Sequence, residues 1–389
     1  MTTTHRSFVL APDADLETTD VETEEMLVNM GPQHPSTHGV LRLALRTDGE
    51  MVLEAVPHIG YLHRCAEKIG ENLPYGQYIP YTDRMDYLAG MNNNVGWALT
   101  VEKLAGLELP ARAHYIRAIM CELNRIASHL VAMGAYGIDM GALSMFLYAF
   151  REREFILDLF EAACGARLTY SYATVGGVIH DLTAEWVEKC GEFLDYFEPK
   201  IREYDQLLSF NHIFIKRTGG VGALAPAMAI NYAASGPMLR GSGIAWDLRK
   251  ITPCPPYPDF DFDIPVGDGR MGALGDCWDR YYVRIGEMRQ SVRILRQALE
   301  RLPSGPHRIA LPRTFKIPPG EIYMETEGAR GQLGFYIESQ GGPIPYRVKV
   351  RGPSFCNLSL ANELCRNCML ADVPAIIGSI DIVMGETDR

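Results

Sequence analysis

The sequence predicts an α+β fold. A central helical bundle lies between a β-rich N-terminal hairpin and a β-rich C-terminal part. Three observations predict it. Apolar residues recur at helical spacing through the middle of the chain. They alternate at period two near the N-terminus. Short strand-like runs separated by Gly and Pro fill the region after residue 303. With 389 residues, 47% of them hydrophobic and 22% charged, the chain can bury a large core without disulfide or metal staples.

The elements follow in order. Residues 1–25 carry Asp13, Asp15, Glu17, Asp20, Glu22, Glu24 and Glu25 among few large apolar residues, so an acidic, solvated tail is expected. Docking of that tail on a basic partner is the alternative. Residues 26–59 form an N-terminal loop and β-hairpin. Gly31 to Gly39 is rich in Pro, Gly and His. A strand is expected over Val40–Arg46, with Leu41, Leu43 and Leu45 on one face. Asp48-Gly49 is a turn signal, and Met51–Val56 returns. Residues 60–389 are read as one further unit, its helical core at about 60–302 and its β-rich end at about 303–389. Ile116, Ile119, Met120, Leu123, Ile126 and Leu130 define one helix, with Glu122, Arg125 and His129 on another face. Further helices are expected over Leu143–Ala163 and Ala184–Leu208, the latter kinked near Pro199. Residues 217–275 read as loops with short elements. Met288, Val292, Leu295, Leu299 and Leu302 then mark a packed helical stripe.

Composition excludes several functions. A net charge of −11 and a pI of about 5.4 argue against general nucleic-acid binding. No apolar run approaches the roughly 18 residues of a membrane span. The N-terminus lacks the pattern of a signal peptide. Nine scattered cysteines suit free thiols in a reducing compartment. A cytoplasmic chain without a span of its own is therefore expected.

The local motifs are weak alone. Gly220 to Ala225 fits a loose G-x-G-x-x-G/A pattern. Pro226 follows at once and the nearest acid is Asp247, so it reads as an ordinary turn. His34 and His38 are four apart, but the surrounding Pro and Gly exclude a helical ligand pair. Cys365-Arg366-Asn367-Cys368 is half of a metal or redox site, and no second pair completes it. The His34/His38 loop is the stronger candidate, because its imidazoles titrate near neutrality; packing alone is its competing reading. Arg84-Met85-Asp86-Tyr87 says nothing specific by itself.

Together these segments resemble one family. Met30–Leu43, with its GPQHPSTHGVLRL block, Val56–Arg64, Tyr81–Tyr87, Tyr148–Phe160, Gly236–Lys250, Val283–Glu300 and the closing MGETDR resemble the 49-kDa subunit, or D subunit, of respiratory complex I, the NADH-quinone oxidoreductase. The resemblance runs from about residue 27 to the end. That family is related to the large subunit of nickel-iron hydrogenases, so the resemblance implies a hydrogenase large-subunit-like fold. The hydrogenase patterns R-x-C-x-x-C and D-P-C-x-x-C-x-x-R/H fall on 84–89 and 381–389. Arg84, Asp381 and Arg389 frame them here. The four thiolate positions hold Asp86, Ala89, Val383 and Glu386. Nickel in such a site needs soft sulfur ligands, so hydrogenase chemistry is excluded.

The resemblance implies a quinone site in the vacated cavity. His38 and Tyr87 would face the two carbonyls of the headgroup, with Asp139 paired to His38 and His34 shaping the same loop. The competing role for Asp139 is an N-cap before Ala142-Leu143. The resemblance implies no cofactor bound by this chain. A 4Fe-4S cluster would lie in the partner B subunit, faced by Arg64. The C, H and I subunits would be further partners, and the chain would sit peripherally on the cytoplasmic side of the cell membrane. A non-catalytic scaffold in an altered assembly with another electron donor is the rival reading. Thr169 and Thr174 depart from the family, where many members carry His and Arg. A lower and less pH-dependent cluster potential is expected from that departure.

Overall fold

A computed structural model describes residues 25–312 and 314–389; the acidic tail expected over 1–25 lies outside them except for Glu25. Glu25 opens a strand that the hairpin expectation missed. β1 (Glu25–Met30) pairs antiparallel with β2 (Arg42–Asp48), which pairs with β3 (Met51–His58). The N-terminal unit is thus a three-stranded sheet. β1 escaped the sequence reading because its side chains are mostly exposed and show no alternation. Leu43, Leu45, Val52 and Ala55 are fully buried and join the main core.

The helical middle follows the expected periodicity. Helices span Gly90–Ala105, Ala111–Asp139, Leu143–Cys164, Ala184–Tyr204 and Cys277–Glu300. Pro199 lies inside its helix, and the pattern changes at Asp205–Ser209, which forms a π turn. Short helices connected by loops fill 212–259. Gly220 donates its N–H to Asp276, the residue that caps the Cys277–Glu300 helix, so the Gly-rich segment there is a packed turn. None of the described helices is long and apolar enough to cross a membrane.

The Ala111–Asp139 helix is buried on two faces. The helix packs against the Leu143–Cys164 and Cys277–Glu300 helices, and its apolar residues join the main core. The face with Glu122, Arg125 and His129 is equally buried. Glu122 accepts from Arg249, Ser291 and Tyr257, while Glu287 takes His129 at 2.8 Å and Arg240 at 2.7 Å. Burial disfavours the charge on Glu287, yet Arg240 and His129 overcome it and hold that carboxyl well below its ordinary range.

A second core lies under a C-terminal sheet of Gly320–Glu327, Gln332–Ser339 and Arg347–Arg351. Trp97 packs edge-on between Tyr78 and Phe335, at centroid distances of 4.5 and 5.7 Å. The strands stop at Arg351. Residues 353–388 form four short helices, Pro353–Leu358, Ala361–Cys365, Val373–Ile380 and Met384–Asp388, so the β-rich end is confined to its first half. The reason is physical. Val373–Ile380 is buried over nearly its whole surface, and a short apolar run buried all round shows neither period.

Candidate functional site

The N-terminal loop folds as a tight turn. His34 caps the 3₁₀ turn Pro35–Thr37 by accepting the Ser36 N–H on Nδ1 at 3.2 Å. Thr37 is buried, and its hydroxyl donates to the His34 carbonyl at 2.7 Å. These bonds deliver His38 in the left-handed region, at φ 50° and ψ 38°. A side chain with a Cβ is sterically disfavoured there, so surrounding contacts must hold the residue.

One such contact is plain. His38 Nε2 lies 2.7 Å from Asp139 Oδ2, and the Asp139 side chain is nearly buried. Asp139 is the last residue of the Ala111–Asp139 helix, and the next helix is capped by Ala142 without a side-chain bond. The N-cap role is therefore not the one the fold uses. A carboxylate at a helix C-terminus sits at the negative end of the dipole, where a cationic neighbour offsets the unfavourable field.

The two segments that resemble hydrogenase ligand motifs converge on one guanidinium. Arg330 stands in the turn Gly328–Gly331 between the first two C-terminal strands. It donates to both oxygens of Asp86 at 3.0 and 2.9 Å, to Asp381 Oδ1 at 3.2 Å and to Ser128 Oγ at 2.9 Å. Arg284 approaches the other Asp381 oxygen at 3.5 Å. Glu386 lies against Asp86 and Arg330 and accepts the Ser354 N–H at 2.5 Å. All these side chains are buried. Three carboxyls face two guanidiniums, and charge balance there favours one retained proton. Glu386 is the group that keeps it: burial, with Asp86 alongside, pushes its carboxyl up to about 8. Sequence reasoning treated Glu386 only as a lost thiolate and did not single out Arg330. A lone Arg in a Gly-rich turn carries no signal until the fold shows its partners.

Tyr87 adjoins this cluster and is half-buried. Burial pushes its phenol up, and the guanidinium of Arg330 works against that. Among the described residues nothing hydrogen-bonds its hydroxyl. The Val373–Asp381 segment links the two halves. Its helix packs against the Pro35–Thr37 turn, an added carbon at Gly378 would lie 2.9 Å from Asp139 Oδ2, and Asp381 ends on Arg330. His38 with Asp139, and Tyr87 with Asp86, thus flank a common segment. Arg64 is exposed and donates to the Arg84 carbonyl at 2.5 Å. Thr169 is half-buried with φ 55°, and Thr174 ends a two-residue strand. Among the described residues no group of three His, Cys, Asp or Glu side chains is placed to hold a metal ion. A 230 Å³ hollow bordered by Asp268, Asp279, Tyr282 and Arg289 includes none of the site residues.

The N-terminal histidine turn and the C-terminal carboxylates thus meet over one helix bundle in a mixed α and β fold. The sequence model of the family described as "Respiratory-chain NADH dehydrogenase, 49 Kd subunit" matches residues 139–314 and 307–389. The chain is 52% identical over 374 residues to the D subunit of NADH-quinone oxidoreductase from Chlorobium luteolum, covering 95% of each protein. It is 51% identical to that of Chlorobaculum tepidum, covering 95% of this chain and 94% of the relative. It is also 52% identical over 368 residues to that of Desulforamulus reducens, covering 95% of this chain and 99% of the relative. The chain belongs to the 49-kDa subunit family of respiratory-chain NADH dehydrogenase, and it is one component of a complex I-type oxidoreductase.

Proposed function

We propose that this protein forms, with the B and H subunits, the site where quinone is reduced to hydroquinone, and that it acts only within the assembled complex. The observation that carries the proposal is the 2.7 Å pair of His38 and Asp139, held beside the segment that leads to the Tyr87 cluster. When present, the terminal 4Fe-4S cluster of the B subunit supplies electrons that NADH delivers to the complex. The C and I subunits would complete its surroundings, and Arg64 would face the cluster. The chain lies on the cytoplasmic side of the cell membrane, and the proton pumping that quinone reduction drives belongs to the membrane subunits.

The residues of this chain handle the headgroup. Two electrons place negative charge on its two carbonyl oxygens, and donors aimed at them stabilise that charge without reorienting. His38 donates to one oxygen and Tyr87 to the other. Each then passes its proton, so quinone, two electrons and two protons yield hydroquinone. Asp139 orients the imidazole through their 2.7 Å contact. His34 keeps the turn in shape.

The experiment is Tyr87→Phe in the purified complex, with inhibitor-sensitive quinone reduction measured against wild type and equal cluster reduction as the assembly control. Turnover is expected to fall by at least about tenfold with the complex intact, since general acid catalysis contributes about 10²–10⁴-fold. Unchanged turnover would leave Tyr87 a packing residue and defeat the proposal.

A further inference from the structure

The Cys365-x-x-Cys368 motif has no part in the quinone chemistry, and the fold gives it a definite setting. Cys365 ends the Ala361–Cys365 helix and is fully buried, while Cys368 is partly exposed. The Cys368 N–H donates to the Cys365 carbonyl at 3.2 Å, which closes a turn with Asn367 at φ 61°. A turn so closed brings its first and fourth Cα atoms within about 7 Å, overlapping the roughly 4.4–6.8 Å that a disulfide requires. No third ligand turns the pair into a metal site among the described residues.

The turn is also a joint. Asn367 donates to the Val52 carbonyl at 2.7 Å, Val52 donates back to Cys368 at 2.9 Å, and Leu370 donates to Glu50 at 2.8 Å. Asn362 Oδ1 accepts the Ala55 N–H at 3.0 Å. The motif therefore stitches the 361–370 segment to β3, in the sheet from which the His38 turn emerges.

We propose that Cys365 and Cys368 are a redox-active dithiol, which closes to a disulfide by exchange with a disulfide-bearing oxidant. The two thiols are unequal. Cys368 alongside and burial push the Cys365 thiol up, while Cys365 alongside lowers the Cys368 thiol despite burial and the nearby Asp372. Cys368 is then the attacking sulfur, since the thiolate is the nucleophile and must be reachable. Its thiolate attacks one sulfur of the oxidant R–S–S–R and releases RS⁻. Cys365 loses its proton, attacks the Cys368 sulfur and expels the second RS⁻. Two cysteine thiols are oxidised by two electrons, and one disulfide is reduced to two RSH. The closed form pins the joint between the 361–370 segment and β3. This inference is independent of the quinone reading.

The test uses the assembled complex, equilibrated in buffers running from dithiothreitol to oxidised glutathione. Acid quenching, unfolding, alkylation and peptide mass analysis then follow. Cys365 and Cys368 are expected to lose alkylation together, with their joint peptide lighter by two hydrogens, and to regain it in reductant. Buried Cys121, Cys190 and Cys277 serve as the unoxidised reference. Cys365→Ser is expected to trap glutathione on Cys368, and Cys368→Ser to leave Cys365 unmodified. Both thiols fully alkylated across the whole series would overturn the proposal, as would independent loss of the two. Glutathione on Cys365 in the Cys368→Ser complex would overturn the assigned order. The wild-type series decides without any variant.

Discussion

Glu386 shows what a single buried carboxyl can encode. It holds its proton to about pH 8, whereas an unfolded glutamate releases it near 4.5. Between those values the folded chain binds the extra proton. Stability is therefore fully present below 4.5 and declines as pH rises through the window to about 8. Glu386→Gln fixes the neutral form, so thermal inactivation of the complex should lose much of its pH dependence in that window. An infrared carboxylic-acid band titrating near pH 8 is expected in the wild type and absent from the variant. An unaltered pH slope and band in the variant would assign the proton elsewhere. Arg330 makes the opposite case. Arg330→Met leaves Asp86 and Asp381 without their cation, and breaking a buried pair costs about 3–5 kcal/mol. Loss of the assembled protein at ordinary growth temperature is the expected readout; wild-type yield and melting would contradict it.

At the scale of elements, the Val373–Ile380 helix decides whether the two halves of the site stay in register. An added methyl at Gly378 would lie 2.7 Å from the Tyr136 ring and 2.9 Å from Asp139 Oδ2. Gly378→Ala must push one of them, and overpacking of this kind costs about 1–3 kcal/mol. Displacing Asp139 releases His38. Quinone turnover should fall while the amount of assembled protein falls less, and the two are separated by measuring activity per intact complex. Normal turnover per complex would show that the pair tolerates the shift. The sequence announced the elements unevenly. Ala111–Asp139 and Cys277–Glu300 were plain because one face repeats its apolar residues. Val373–Ile380 was opaque because it is buried all round, and β1 because its exposed side chains do not alternate. His38, Tyr87 and Asp139 were found through a resemblance. Their spacing alone pointed nowhere, since 101 residues separate His38 from Asp139.

Across the whole molecule, the site is assembled from segments far apart in the chain, and its polar residues continue into the centre. Arg330 and Arg284 meet at Asp381, and Glu287 joins His129 to Arg240, which binds Glu327 at 2.8 Å. Nothing in composition revealed this, because buried and surface charges count alike in a net charge of −11. Thr169 and Thr174 belong to this scale because they act, in the proposed assembly, on a neighbour. Neither side chain can take up a proton, so the potential of the cluster in the B subunit should be lower and less pH-dependent than in relatives that carry the His. Redox titrations at several pH values test this, and a full proton-coupled slope would refute it.

In the proposed quinone site, the guanidinium that binds Asp86 and Asp381 would also determine how an arriving electron is met. Arg330 and Asp86, each locked by several hydrogen bonds, have little freedom to swing toward new charge. Water would relax around a reduced headgroup; this floor holds nearly still. Its reorganisation cost is small, and the balancing of charge passes to the light particle that can move. In such a medium, electron arrival and proton transfer become one thermodynamic event.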